Sequence, residues 1–229
     1  MRGRKRRNGR CASPPYTGRG HIACGDLRVY NRSRLYFLFD LGVLAVDPFY
    51  FHEENMMNVW DAIYNKRAIR AFRDAPLPDD VVERILEAGR VAQSSRNEQP
   101  WDFIAVRDRE RLRQLAASGY YPFVAQSGLT VVITTPPMDV DKPLNFAMYL
   151  FDVGQAAANM QLAAQELGVG SGLGRVFKGD VARELLAYPA DKEATMLIAF
   201  GYPESDDMLT RKGEPNRRPF DDVVHYETW

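Results

Sequence analysis

Residues 144–175 read LNFAMYLFDVGQAAANMQLAAQELGVGSGLGR, and the reading of that stretch decides the fold class. Its first two-thirds is rich in Ala, Leu, Met and Gln, all good helix formers. It predicts a helix over 144–167, the longest in the chain, with Ala-rich positions that permit close helix packing. The helix runs into a glycine-rich segment, Gly168 to Arg175. A dinucleotide-binding turn of a doubly wound fold needs the spacing G-x-G-x-x-G and a strand before it. Counted from Gly168 the sixth residue is Leu173, and counted from Gly170 it is Arg175. What precedes the run is a helix. A Rossmann site is therefore excluded, although glycines still let backbone approach a flat ligand because they carry no Cβ.

Outward from that stretch, helical and strand patterns mix without strict alternation. Asn58 predicts a cap for a helix reaching about Asn65, and Pro78-Asp79-Asp80 opens another that places Val81, Val82, Ile85, Leu86 and Ala88 on one face. Further helices are predicted over 108–117 and from Asp180 to Leu186. Strands are predicted over 103–106, 129–134 (stopped by Pro136-Pro137) and 195–200 (ended by Gly201-Tyr202-Pro203). This order predicts α+β rather than a parallel doubly wound sheet.

The chain has 229 residues and 45% hydrophobic side chains, enough for one well-cored domain. Its formal net charge of zero hides an asymmetry. Residues 1–34 carry nine Arg and Lys5 against Asp26 alone, so a basic arm precedes a mildly acidic body. The arm has no apolar period and is rich in Gly, Ser and Pro, so residues 1–55 are expected to be a disordered extension. It reads either as a solvated tail, with or without an over-long start, or as a nucleic-acid or membrane-surface arm; it lacks interleaved aromatics, and no specific nucleic-acid partner is expected. The apolar run 35–51 contains Asp40 and Asp47 and falls short of a clean membrane span. No cleavage site follows it, so the expectation is a cytoplasmic protein without a membrane partner. The domain proper is expected over 56–229.

The cysteines, Cys11 and Cys24, both lie in the basic arm, and no histidine occurs between His52 and His225. The body thus has no thiol nucleophile, no basis for an iron–sulfur cluster, no Ser-His-Asp triad and no expected metal site. If it is an enzyme, a bound cofactor does the hard step.

Four clusters carry possible chemistry. Lys66-Arg67-Ala68-Ile69-Arg70-Ala71-Phe72 sets three cations in five residues; they suit a phosphate, or simply answer a helix dipole. Gln93-Ser94-Ser95-Arg96-Asn97-Glu98-Gln99-Pro100-Trp101 offers amides and hydroxyls to the edge of a planar heterocycle, or is an ordinary polar loop. The third is the glycine run. Arg217-Arg218-Pro219 is the fourth, of interest only if it folds back toward Lys66 and Arg70.

In this order the clusters, with Leu186-Ala187-Tyr188-Pro189, Gly201-Tyr202-Pro203 and the ending Asp221-Asp222-Val223-Val224-His225-Tyr226, resemble the nitroreductase family of FMN-dependent oxidoreductases. Each motif is weak alone and the ordered set is specific; coverage runs from about Met56 to the C-terminus. The resemblance implies a sandwich with a central antiparallel sheet flanked by helices, built as an intertwined homodimer with FMN at the subunit interface. It implies that Lys66, Arg70 and Arg217, with Arg67 nearby, hold the FMN phosphate. It places Ser94, Ser95 and Asn97 beside the ring or ribityl chain, and Gly172, Leu173 and Gly174 along the ring. Ala68 and Gln93 depart from the usual Ser and Pro. NADH or NADPH would be the co-substrate, and a small aromatic acceptor, such as a nitroaromatic or quinone, would follow it in a ping-pong cycle. The same fold also serves reductive dehalogenation, flavin cleavage or flavin binding without turnover. Tyr120, Tyr121, Phe123, Phe146 and Tyr149 are candidate acceptor-lining aromatics, with core or interface packing as the alternative.

Overall fold

A computed structural model describes residues 57–119 and 121–229; the expectations for residues 1–55 and for Tyr120 lie outside them. The elements are α1 (Val59–Asn65), α2 (Asp79–Arg90), β1 (Asp102–Val106), α3 (Arg109–Gly119), β2 (Leu129–Thr135), α4 (Pro143–Glu166), β3 (Gly170–Arg175), α5 (Gly179–Leu186) and β4 (Glu193–Gly201). The strands form one sheet in the order β1-β2-β4-β3, with every pairing antiparallel.

Side-chain alternation along the central strands builds two layers of core. Val131 and Ile133 of β2, with Ile198 and Phe200 of β4, face α2 and α4, where Ile85, Ala156, Met160 and Ala164 complete the packing. Val132, Leu197 and Ala199 face the other way, toward Leu112 and Leu115 of α3 and Ala182 of α5. Strand β2 is buried along its whole length, which is why its sequence is continuously apolar or Thr instead of alternating. Each large aliphatic side chain buried here contributes about 1.5–3 kcal/mol. Gly89 of α2 lets α4 approach closely, since a Cβ there would run into the Met160 side chain.

The fold class is α+β, as the element order predicts. The fourth strand is the difference. Gly170–Arg175 is a full strand paired with β4, although glycine is depleted in strands. Its glycines are needed because other groups press against it. A Cβ on Gly172 would lie 2.7 Å from the Ile69 carbonyl, and one on Gly174 would lie 2.6 Å from the Tyr121 ring.

Candidate functional site

Just after α1, the chain turns along the outer edge of β3. Ile69 N–H donates to the Ser171 carbonyl at 2.9 Å, and Ala68 pairs with Ser171 in parallel. This single bridge brings the cation cluster against the glycine run, two motifs a hundred residues apart. Ile69 is buried, while Lys66 is half-buried and Arg70 exposed. The Arg70 guanidinium lies over the Phe123 ring, 5.6 Å from its centroid, in the range of a cation–π contact. Lys66 Nζ donates to the Arg67 carbonyl at 3.1 Å. Burial, and then the neighbouring Arg70 charge, lower the Lys66 pKa to about 8. Among the described residues no carboxylate forms an ion pair with Lys66 or Arg70.

Arg67 is placed differently. Its Nε donates to the Met208 carbonyl at 2.7 Å, and its Nη2 reaches the Asp207 carbonyl at 3.5 Å. The guanidinium therefore ties the cluster to the turn Asp206–Leu209. Arg211, which the sequence reading did not single out, ties down the root of the C-terminal arm. Its Nε donates to Tyr64 O at 2.7 Å and its Nη2 to Lys66 O at 3.4 Å. Arg217 lies further along that arm; it is exposed and bonds the carbonyl of Asn216. The arm thus starts beside the cluster, but Arg217 makes no contact with Lys66 or Arg70 in this chain.

The polar run between α2 and β1 is a one-turn 3-10 helix, Ser95–Asn97, followed by a sharp exit. Arg96, Asn97 and Gln99 have φ of 51°, 59° and 49°. Three non-glycine residues in the left-handed region within four positions mark a strained loop. Ser94 Oγ accepts from Gln99 N–H at 2.9 Å and closes it. Ser94 and Ser95 are half-buried and Asn97 is exposed, so its amide is open to a ligand. Pro100 and Trp101 are buried and fix the exit.

Gly172 and Gly174 line no empty cradle. The room their missing side chains leave is taken by the Ile69 carbonyl, Arg70 Cγ and the rings of Phe123 and Tyr121. Leu173, between them, packs half-buried toward the α2–α4 side. Phe123 is buried and Tyr121 half-buried; Tyr121 Oη accepts from Arg175 N–H at 3.1 Å. These two rings are the wall beneath Arg70. Phe146 and Tyr149 are half-buried on the first half of α4, on the same segment as exposed Leu144, Met148 and Phe151.

The sequence reading missed the polar side chains of α4. Asp152, only 1% exposed, accepts from Ser95 N–H at 3.0 Å. Gln161 reaches Ser171 Oγ at 3.3 Å, and Gln165 donates to the Leu209 carbonyl at 2.7 Å. One helix therefore touches the polar loop, the glycine strand and the turn that holds Arg67. Their spacing at 152, 161 and 165, set among alanines, is the only trace of this in the sequence.

Comparison with known proteins agrees with this arrangement. The model of the nitroreductase family matches residues 63–129 and 118–202. A relative from Archaeoglobus fulgidus, named as an NADH dehydrogenase/NAD(P)H nitroreductase, is 33% identical over 172 residues, covering 73% of this chain and 96% of its own. An NADPH-dependent oxidoreductase of Staphylococcus haemolyticus is 29% identical over 185 residues, with 73% of this chain and 72% of that one covered. Among solved structures, an FMN-dependent nitroreductase from Clostridium difficile R20291 superposes with a TM-score of 0.63 at 26% identity, over 74% of this chain and 99% of that one. With the matched segments spanning the cation cluster, the polar loop, the whole sheet and Gly201-Tyr202, the chain belongs to the nitroreductase family.

Proposed function

We propose that this protein is an FMN-dependent oxidoreductase that takes reducing equivalents from NAD(P)H and passes them to an electron-poor aromatic acceptor. The observation that carries this reading is the corner at Lys66 and Arg70. Two cations converge there without a carboxylate partner among the described residues, and Lys66 has a pKa lowered to about 8 by burial and by Arg70. Such a corner calls for an anion, and a phosphate supplies up to two negative charges. The residues present therefore fit the FMN phosphate. The missing Ser hydroxyl at Ala68 leaves more of the hold to the cations.

In this reading Lys66 and Arg70 bind the phosphate, and Arg217 joins them from the arm. Ser94, Ser95 and the exposed amide of Asn97 fix the edge of the isoalloxazine or its ribityl chain. Bound there, FMN would supply two-electron redox chemistry between the nicotinamide and the acceptor, while these side chains hold and orient it. The protein's own groups orient and hold, which agrees with a body that lacks thiols and nearly lacks imidazoles.

The site is completed by a second copy of the chain. The described surface exposes Trp60 at 69%, Phe151 at 63% and Trp229 at 99%, together with Phe220, Val223 and Tyr226 of the arm. A lone copy would leave these large apolar side chains in water, and burial against a second copy would remove them from it. The outer edge of β1 borders an open groove of about 1100 Å³ whose floor carries Leu86, Trp101 and Phe103 and whose rim is charged, with Asp80, Glu83, Arg84 and Arg90, room enough for a partner's arm. Residues 56–229 would form this unit, with residues 1–55 dispensable to it and the protein working in the cytoplasm.

The absorbance spectrum of the purified protein, followed by anaerobic titration with NADH and NADPH, tests the reading. A yellow protein that bleaches with one or both nicotinamides and recovers colour with a nitroaromatic or quinone is expected. A colourless protein that does not take up FMN would sink it.

A further inference from the structure

Asp152 is the one buried carboxylate in the described structure, and the proposed chemistry gives it no task. It sits on the inner face of α4 with no cation partner among the described residues. Burying an unpaired charge is costly unless hydrogen bonds compensate it. Two donors do so. One is the backbone N–H of Ser95, at 3.0 Å from Oδ2. The other is Gln155 Nε2, at 3.4 Å from Oδ1. Gln155 in turn accepts from Gln93 Nε2 at 2.6 Å through its own Oε1. The pair Asp152–Gln155 thus grips both the start of the polar loop and the first turn of its 3-10 helix.

What lies beyond the grip explains why it is needed. Arg96, Asn97 and Gln99 hold left-handed backbone immediately after Ser95. Conformations of that kind persist only where the surroundings over-determine them. Inside the loop the restraints are local: Ser94 Oγ accepts from Gln99 N–H, Gln99 Nε2 donates to the Asn97 carbonyl (3.2 Å), Asn97 N–H and Glu98 N–H donate to the carbonyls of Ser94 and Ser95 (3.1 and 3.0 Å), and the exposed Arg96 pairs with Glu98. A charge-assisted bond to a backbone N–H is the stronger restraint, and it comes from a helix that is itself fixed in the core through Val153, Ala156 and Met160.

We infer that Asp152 is a positioning residue: by holding Ser95 N–H from α4 it keeps the strained loop in the shape that presents Asn97 to the flavin ring. This rests on the flavin reading above for the ligand, but not for the grip. The carboxylate acts only on the ring side of the site. The phosphate corner is built on β3 and owes it nothing.

Hydrogen exchange on the full chain, combined with FMN and riboflavin binding followed by fluorescence quenching, separates the possibilities. In Asp152→Ala the amides of residues 95–99 should exchange about tenfold faster while those of β2 and β4 keep their rates, since one hydrogen bond is worth about a factor of ten. FMN and riboflavin should weaken by the same factor, again about tenfold, because the phosphate contacts are untouched. Asp152→Asn retains a neutral acceptor and should fall part-way on every readout; if the Ala variant does not fold, the Asn variant decides. Unchanged exchange at 95–99 would overturn the grip. Faster exchange with unchanged flavin affinities would overturn its service to the ligand. A parent protein that binds neither flavin would instead defeat the functional reading, with the exchange rates still deciding whether Asp152 holds the loop.

Discussion

The phosphate corner and the ring-side loop are both polar, both close to α4, and held by opposite means. The corner is part of the sheet in all but name. Ile69 is buried and hydrogen-bonded to β3 through Ser171, and its cations project from that fixed backbone. The loop has no sheet to lean on. Its own backbone bonds, Asn97 N–H to Ser94 O and Glu98 N–H to Ser95 O, close a single turn, and side chains tie that turn down, Ser94 from within and Asp152 from across the fold. On the reading proposed above, main-chain rigidity would serve the phosphate tail and side-chain bonds would serve the ring. Damage to one should therefore not mimic damage to the other.

Gly172→Val should break the comparison most severely, because it attacks the backbone join itself. Its Cβ would meet the Ile69 carbonyl at 2.7 Å and the Phe123 ring at 3.1 Å, and a carbonyl in a paired segment cannot swing aside as a side-chain tip can. Overpacking of this kind costs about 1–3 kcal/mol. A drop of several degrees in the melting temperature is expected, roughly 2–4 °C per kcal/mol at this chain length, together with loss of measurable FMN binding. A variant that melts like the parent and still binds FMN would show that the join at Ala68–Ile69 does not build the corner.

Arg70→Ala removes a cation and leaves the join. FMN affinity should fall at least ~tenfold, the worth of one charge-assisted bond. Riboflavin, which has no phosphate, should bind the variant and the parent alike, and the melting temperature of the flavin-free protein should move little because Arg70 is exposed. Arg217→Ala should behave in the same way if the arm brings that residue to the phosphate. Equal loss for FMN and riboflavin in Arg70→Ala would place Arg70 at the ring and undo the division between the two regions.

Ser94→Ala is the counterpart on the other side. It deletes the acceptor of Gln99 N–H and should weaken FMN and riboflavin equally, by about fivefold for a bond worth roughly 1 kcal/mol. A preference for either flavin would mean that the loop also senses the phosphate.

The two regions also differed in how far the sequence exposes them. The cations of the corner stand out as three charges in five residues among apolar neighbours, a density that suits a phosphate and equally a helix dipole. Its support does not stand out. A strand that reads GSGLGR violates strand propensity, and only the close approach of Ile69, Phe123 and Tyr121 explains the glycines. In the loop, Ser94, Ser95 and Asn97 are visible as polar groups, but the grip is not: Asp152 lies more than fifty residues away on a helix whose alanines signal only packing. The long helices and β2 were legible because hydrophobic period and capping act locally. Arg67 shows the limit of motif reading, since its charge belongs to the cluster in sequence while its guanidinium is spent on the carbonyls of Asp207 and Met208.

The mildest expected effect is a pH dependence that only the corner should show. Lys66 in the free protein has a pKa lowered to about 8, because burial and then Arg70 disfavour its charge. A bound phosphate favours that charge and raises the pKa again, so binding above pH 8 takes up a proton. FMN affinity should be flat near pH 7 and fall as pH rises through 8, by about fourfold at pH 8.5 from the protonated fraction alone. Stability of the flavin-free protein should have the opposite sign. The unfolded chain keeps this proton up to its ordinary pKa of 10.5, so between about 8 and 10.5 the unfolded state binds more protons and the contribution of Lys66 to stability improves with pH. Both dependences should vanish in Lys66→Met, which keeps the stem and removes the titrating group, and riboflavin affinity in the parent should not fall as pH rises through 8. If the FMN affinity of Lys66→Met falls with pH as steeply as that of the parent, another group carries the dependence and Lys66 does not face the phosphate.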